Sequence, residues 1–178
     1  MSLPIPFPSA RGFHGTSVEA ARRILAEGFR PSANTPDWLG DGIYFWQDAP
    51  LRAQEWATTR FGHSSAVIAA TIDLEGCLDL LDIAWQQAIT NAYEDFMALM
   101  GRLREPPPRQ TEGAHRLDRE IVNFLVGGLA ADGNRVRSVR AAFSEGEPLF
   151  PGSAFTKRAH VQIAVRDLTA ISDVEVLR

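Results

Sequence analysis

Nothing in this chain is apolar for long enough to cross a membrane, and its one cysteine, Cys77, has no second thiol to pair with. A bilayer-spanning helix needs about 20 consecutive apolar residues, so no membrane role is expected, and an internal disulfide is excluded. Residues 1–10 carry three prolines and no basic run followed by an apolar stretch. They read as an extended N-terminal segment rather than a secretory leader. Positive charge is not in excess either: the formal net charge is −4, which argues against a broadly basic nucleic-acid groove. The histidines, His14, His63, His115 and His160, are scattered and keep no ligand spacing with Cys77, so no metal site is expected. Phosphate signatures are missing as well. There is no Gly-x-x-x-x-Gly-Lys, and no Gly-x-Gly-x-x-Gly opens a helix after a strand-like run. What remains is 178 residues with 45% hydrophobic and 22% charged content, enough for one soluble domain with a sizeable core. A cytoplasmic protein is the expectation.

The informative residues lie near the start. His14-Gly15-Thr16 ends a short apolar segment, where an imidazole and a bare backbone can meet a flat polar ligand. Thr16 to Glu19 reads as a capping box, with Thr16 accepting from the Glu19 amide. Val18, Ala21, Ile24, Leu25 and Phe29 follow at helical spacing, and Gly28 is the expected stop. Gly42-Ile43-Tyr44-Phe45 then reads as a glycine-led aromatic strand.

Further on, Asp48 is the expected cap of a helix with Pro50 in its first turn, running to about residue 60. Residues 65–73 read as a buried strand, with 78–81 a short continuation. Asp82 is expected to cap a long helix that Gly101 stops. Residues 102–113, with three successive prolines, read as an exposed loop. A helix is expected over 114–126 and a flexible connection over 127–134. Strands are expected over 136–143, 160–165 and 171–176. Strands at both ends with helices between and beside them predict an α+β fold.

The His14-Gly15-Thr16 triplet, the Ile24-to-Arg30 helix exit and Gly40-Asp41-Gly42-Ile43-Tyr44-Phe45 resemble the catalytic domain of poly(ADP-ribose) polymerases and their bacterial relatives, which are NAD-using ADP-ribosyltransferases. Ala53-Gln54-Glu55-Trp56 is similar to the family's Ala-x-x-aromatic helix, so the likeness runs over about residues 12–57. It implies a single ADP-ribosyltransferase-like domain over 1–178, with two packed, antiparallel-rich sheets around an NAD cleft and flanking helices. It also implies site roles. His14 would bond a ribose hydroxyl, and Gly15 would offer backbone groups to the carboxamide where a Cβ would intrude. Thr16 would lie beside them. Tyr44 would stack on nicotinamide with Phe45 or Trp56 as a second wall, and Arg30 would lie near the adenosine and pyrophosphate.

The third position departs from the family. Where the family carries a glutamate on a late strand, this chain has Gln162 within Ala159 to Asp167. Strand alternation puts His160, Gln162 and Ala164 on one face and Val161, Ile163 and Val165 on the other. A glutamine accepts a hydroxyl proton but carries no charge to steady an oxocarbenium ion. Glu145 or Glu147, in the loop before that strand, is the alternative carboxylate. The resemblance thus implies a mono-ADP-ribosyltransferase that uses NAD as substrate and a protein or nucleic acid as acceptor, with His14, Tyr44, Gln162 and Glu145 in catalytic positions. A degenerate NAD- or ADP-ribose-binding module is a rival, as is an NAD-dependent RNA 2′-phosphotransferase-like enzyme. The latter would need Arg22, Arg23, Arg137, Arg140, Lys157 and Arg158 gathered around the cleft. Small members of the family further suggest a toxin with an antitoxin or inhibitor partner.

Overall fold

A computed structural model describes residues 9–31, 38–111 and 114–177. Strand β1 (Ser9–Ser17) leads into helix α1 (Val18–Glu27), then strand β2 (Ile43–Gln47), helix α2 (Pro50–Phe61), and strands β3 (Ser65–Asp73) and β4 (Cys77–Asp79). Helix α3 (Gln86–Leu103) and helix α4 (Arg116–Ala131) flank a small ribbon of β5 (Gln110–Thr111) and β6 (Ala114–His115). Strands β7 (Ser138–Phe143), β8 (His160–Val165) and β9 (Ile171–Val176) complete the order. The α+β expectation is met.

One seven-stranded sheet runs β4-β7-β8-β2-β1-β3-β9, antiparallel throughout except for the parallel β4–β7 pair. This corrects the expected two packed sheets. A ladder between β1 and β2 survives at Gly12↔Gln47 and Phe13↔Trp46 and keeps the halves hydrogen-bonded. Alternation sends Phe45, Ile68, Ile72, Ile163 and Val165 to one face, where Ala21 of α1 and Phe29 cover them. The opposite face carries Phe13, Trp46, Val67 and Ala69 under Ala53 of α2, then Val139, Ala141 and Ala164 under Val122 of α4. Both faces are therefore covered, as a buried sheet of this width requires.

Several expected boundaries move. The cap of α1 is Ser17, whose Oγ accepts from the Ala20 amide at 3.1 Å, because β1 continues through Thr16. Asp48 sits at φ 51 and its amide donates to Arg11 O at 2.9 Å, so it closes the turn after β2 and leaves α2 without a side-chain cap. Asp82 caps a short 3-10 turn, Ile83–Trp85, instead of the long helix. That helix passes through Gly101 and ends at Arg104 in the left-handed region, φ 58. Residues 127–131 belong to α4 and not to a flexible connection. Leu125, Val126 and Leu129 pack against the Val139 cluster, and this packing outweighs the poor helix propensity of Gly127 and Gly128. The expected segment 1–10 lies outside the described residues except for Ser9 and Ala10, which open β1.

Candidate functional site

Strand β1 pairs with β3 over its whole length, from Ser9↔Asp73 to Ser17↔Ser65, and β2 pairs with β8 from Ile43↔Val165 to Gln47↔Val161. The two strands pair with each other only at Gly12 and Phe13. Beyond Phe13 the sheet divides, and among the described residues no strand pairs with the β2-facing edge of residues 14–17. A recess of about 350 Å³ occupies this division. His14, Thr16 and Tyr44 line it from the strands, Ala20, Arg23 and Glu27 from α1, and Trp56 from α2.

His14 crosses the gap. Its Nδ1 lies 2.9 Å from the Tyr44 carbonyl oxygen, which can only accept, so Nδ1 carries the hydrogen. In the neutral ring Nε2 is then a bare acceptor. Phe29 meets the ring edge-on at 5.4 Å between centroids, and Phe45 lies at 5.7 Å. Burial pushes the imidazole pKa below its ordinary 6.5, against the smaller opposing effect of the Tyr44 carbonyl. At neutral pH His14 therefore presents an uncharged acceptor.

Gly15 is required by packing. A Cβ there would stand 2.6 Å from Ala53 O and 3.1 Å from Trp56 Cε3, both on α2. The space a side chain would need at Gly15 is filled by the helix. Close approach of α2 brings Trp56 to the recess, where it is 39% exposed, 5.7 Å from Trp46 and beneath the Arg60 guanidinium at 5.5 Å.

Tyr44 is attached through both its backbone and its side chain. Its backbone carbonyl holds His14, while its hydroxyl donates to Gly40 O at 2.7 Å and accepts from Leu39 N at 2.8 Å. The ring packs toward the Val139 cluster. The loop it grips is also tied to α4. Asn123 Oδ1 accepts from the Asp41 amide at 3.0 Å and from Arg166, and Arg119 pairs with Asp41 at 2.5 Å. Gly40 has φ +78 and a Cβ there would run into Arg166 and Asn123, so this loop closes only with glycine. The contribution of α4 is to hold this loop.

The structure thus gathers His14, Thr16, Arg30, Tyr44 and Trp56 around one recess, with Gly15 beneath it. Arg30 is 81% exposed at the mouth and pairs with Glu27 at 2.6 Å. Phe45 is corrected: it is fully buried among Ile68, Ile72 and Ile163, on the far side of its strand from Tyr44. Gln162 does not line the recess. It lies in register with Trp46 and Ala141, on the face opposite the His14 ring and two strands from it, about 10 Å by strand spacing. Its amide makes no hydrogen bond among the described residues. His160, on the same face as expected, is buried, with Nδ1 2.7 Å from Arg158 O and its ring stacked on Phe143.

Glu145 belongs to a neighbouring groove with Arg52, Glu55, Thr59, Arg60 and Arg158, and Trp56 is the wall common to both hollows. Glu145 pairs with Arg52 at 3.1 Å, and Glu147 with Lys157 at 3.2 Å on the surface. The Glu55 carboxyl titrates below its usual range: burial opposes this, but the Arg158 and Arg52 guanidiniums outweigh it. Of the basic side chains weighed for an RNA reaction, Arg23 lines the recess and Arg158 the groove. Arg137 and Arg140 are paired with Asp73 and Asp79. Arg23 reaches the recess on a helix face that Ala20, Arg23, Ile24 and Glu27 share at three- to four-residue spacing. Among the described residues, no three of His, Cys, Asp and Glu gather as metal ligands, and no helix is long and apolar enough to cross a membrane. No protein-family model matches this sequence, and no curated protein matches it.

Proposed function

We propose that the chain binds NAD in the recess between β1 and β2 and transfers its ADP-ribose to a macromolecular acceptor, on an ADP-ribosyltransferase-like fold. The observation that carries the reading is the divided sheet bridged by His14, whose Nδ1 is committed to Tyr44 O and whose Nε2 is left to accept from a ribose hydroxyl. Arg23 and Arg30 supply more positive charge than Glu27 offsets, which suits a pyrophosphate. Trp56 offers a ring for a base or nicotinamide to lie against. In the transfer, the bond from ribose C1′ to the nicotinamide nitrogen breaks and its electron pair leaves with nicotinamide. An acceptor oxygen or nitrogen bonds C1′ and releases its proton. The groove beyond Trp56, with Glu145 at its side, is where an acceptor would approach.

Two observations favour a second reading, a module that binds NAD or ADP-ribose without turnover. Gln162 stands away from the recess, and the Glu145 carboxylate is already engaged by Arg52. NAD labelled on the adenylate, incubated with the protein and cell extract, separates the two. Label on macromolecules with release of nicotinamide supports transfer. Free ADP-ribose with nicotinamide marks hydrolysis, and binding without either product marks the module. Absence of NAD binding overturns both.

A further inference from the structure

A second hollow, of about 410 Å³, lies where α3 and α4 meet the β7 side of the sheet. Its volume is within the range of pockets that enclose a small molecule, roughly 300–1,000 Å³. Leu39, Leu80, Ile89, Ile121 and Val122 supply aliphatic walls, and Trp38, Tyr93 and Phe143 supply rings. Asp118 is the one charged residue on the wall among those described. The Trp38 ring lies against both His115, 3.9 Å away between centroids, and Phe143, at 4.7 Å, and forms one end of the hollow. His115 is in turn bonded to Asp118 at 3.1 Å. At the mouth Thr90 and Tyr93 are exposed, and the Thr90 hydroxyl is spent on the Gln86 carbonyl of its own helix.

We propose that this hollow is a binding site for a small aromatic amine, a planar apolar ring carrying a cationic nitrogen. Ring and aliphatic walls take the apolar part, and flat aromatic faces favour a flat partner. The single carboxylate, with no guanidinium or ammonium on the wall, selects a donor or cation and disfavours an anion. The site shares no wall residue with the recess between β1 and β2, and its occupancy does not depend on NAD.

Three probes with one ring and different charge test it: tryptamine, indole and indole-3-acetate, titrated while amide NMR shifts are followed at Leu39, Thr90 and Ile121. Tryptamine is expected to saturate these shifts and to bind about tenfold more tightly than indole-3-acetate, the scale of one charge-assisted hydrogen bond. Asp118→Asn, at a half-exposed position, should erase that difference. Thr90→Trp, at the rim and clear of the core, should weaken every probe about tenfold or more. Absence of saturable shifts at these amides overturns the assignment. So does equal affinity for tryptamine and indole-3-acetate, or an affinity that Thr90→Trp leaves unchanged.

Discussion

The recess between β1 and β2 and the hollow under α4 are similar in volume, about 350 and 410 Å³, and opposite in construction. The first is shaped by backbone: two strands part after Phe13, and an imidazole bonded to a main-chain carbonyl spans the opening. The second is shaped by side chains, with the Trp38 ring set against His115 and Phe143 at one end. A backbone-shaped site tolerates few substitutions at its edges but fixes its polar groups firmly. A side-chain-shaped one is tuned by any of a dozen positions. The two meet at Tyr44, which lines the recess and grips Leu39, a wall of the hollow.

The sharpest way to break this comparison is Gly15→Val. Its Cβ would strike a main-chain oxygen of α2, which cannot move aside alone. Overpacking of this kind costs on the order of 3 kcal/mol, read from chemical denaturation, and NAD binding should be lost. Tryptamine binding at the hollow should survive in whatever fraction remains folded. Loss at both places would show that α2 supports more of the molecule than the recess.

His14→Ala comes next. It strands the Tyr44 carbonyl at a cost of about 1–3 kcal/mol and removes the Nε2 acceptor, so NAD affinity should fall about tenfold or more. The hollow should not respond. The parent protein should show a matching pH signature. Because burial holds the folded His14 below its ordinary 6.5, the unfolded chain takes up the proton first as pH falls. The stabilising contribution of this site is therefore whole above pH 6.5 and is lost as pH drops through that value toward the lower folded one. NAD binding at the proposed site should weaken in the same direction as Nε2 becomes a donor. His14→Gln should flatten both slopes, and a slope that persists assigns the titration to another group.

Tyr44→Phe is the one change expected to touch both sites. Removing the hydroxyl frees Leu39 N and Gly40 O, at about 1–2 kcal/mol in stability. NAD and tryptamine should each lose a few-fold in affinity. An effect confined to one site would mean that the Leu39 link carries no strain between them.

This contrast also explains what the sequence made legible. The backbone-shaped recess is written in local signals: a strand ending His-Gly-Thr, a helix face repeating every three or four residues, a glycine-led aromatic strand. All of these put His14, Tyr44 and Trp56 close together. Phe45 escaped correct placement because motif adjacency does not say which side of the strand a ring leaves, and here Phe29 and Ile163 take it into the core. Gln162 shares a strand face with His160 and Ala164 as expected, but alternation does not say which side of the sheet that face is on: it is opposite the His14 ring, and β2 lies between the two strands. The hollow and the role of α4 were invisible. Trp38, His115 and Phe143 are distant in sequence, and the tie from Asn123 to Asp41 spans 82 positions. Residues 127–131 were misread because glycine propensity is local while the packing that overrides it is not.

The smallest expected effect sharpens the electrostatic side of the comparison. Arg30 is exposed and, among the described residues, its ion pair is with Glu27, three residues back, a geometry worth a few tenths of a kcal/mol in folding. Arg30→Ala should therefore leave stability within about 0.5 kcal/mol of the parent. If the guanidinium faces a pyrophosphate, NAD affinity should still fall roughly threefold, a loss that shrinks as salt is raised toward 1 M because exposed charges are screened over about 3 Å there. Arg23→Ala supplies the internal standard, since Arg23 lies on the recess wall and has no ion pair among the described residues. A larger, equally salt-sensitive loss at Arg23 than at Arg30 would place the phosphates along α1 rather than at its exit. No loss at either would remove the phosphates from this side of the recess and leave His14 and Trp56 to hold the nucleotide by its sugar and base.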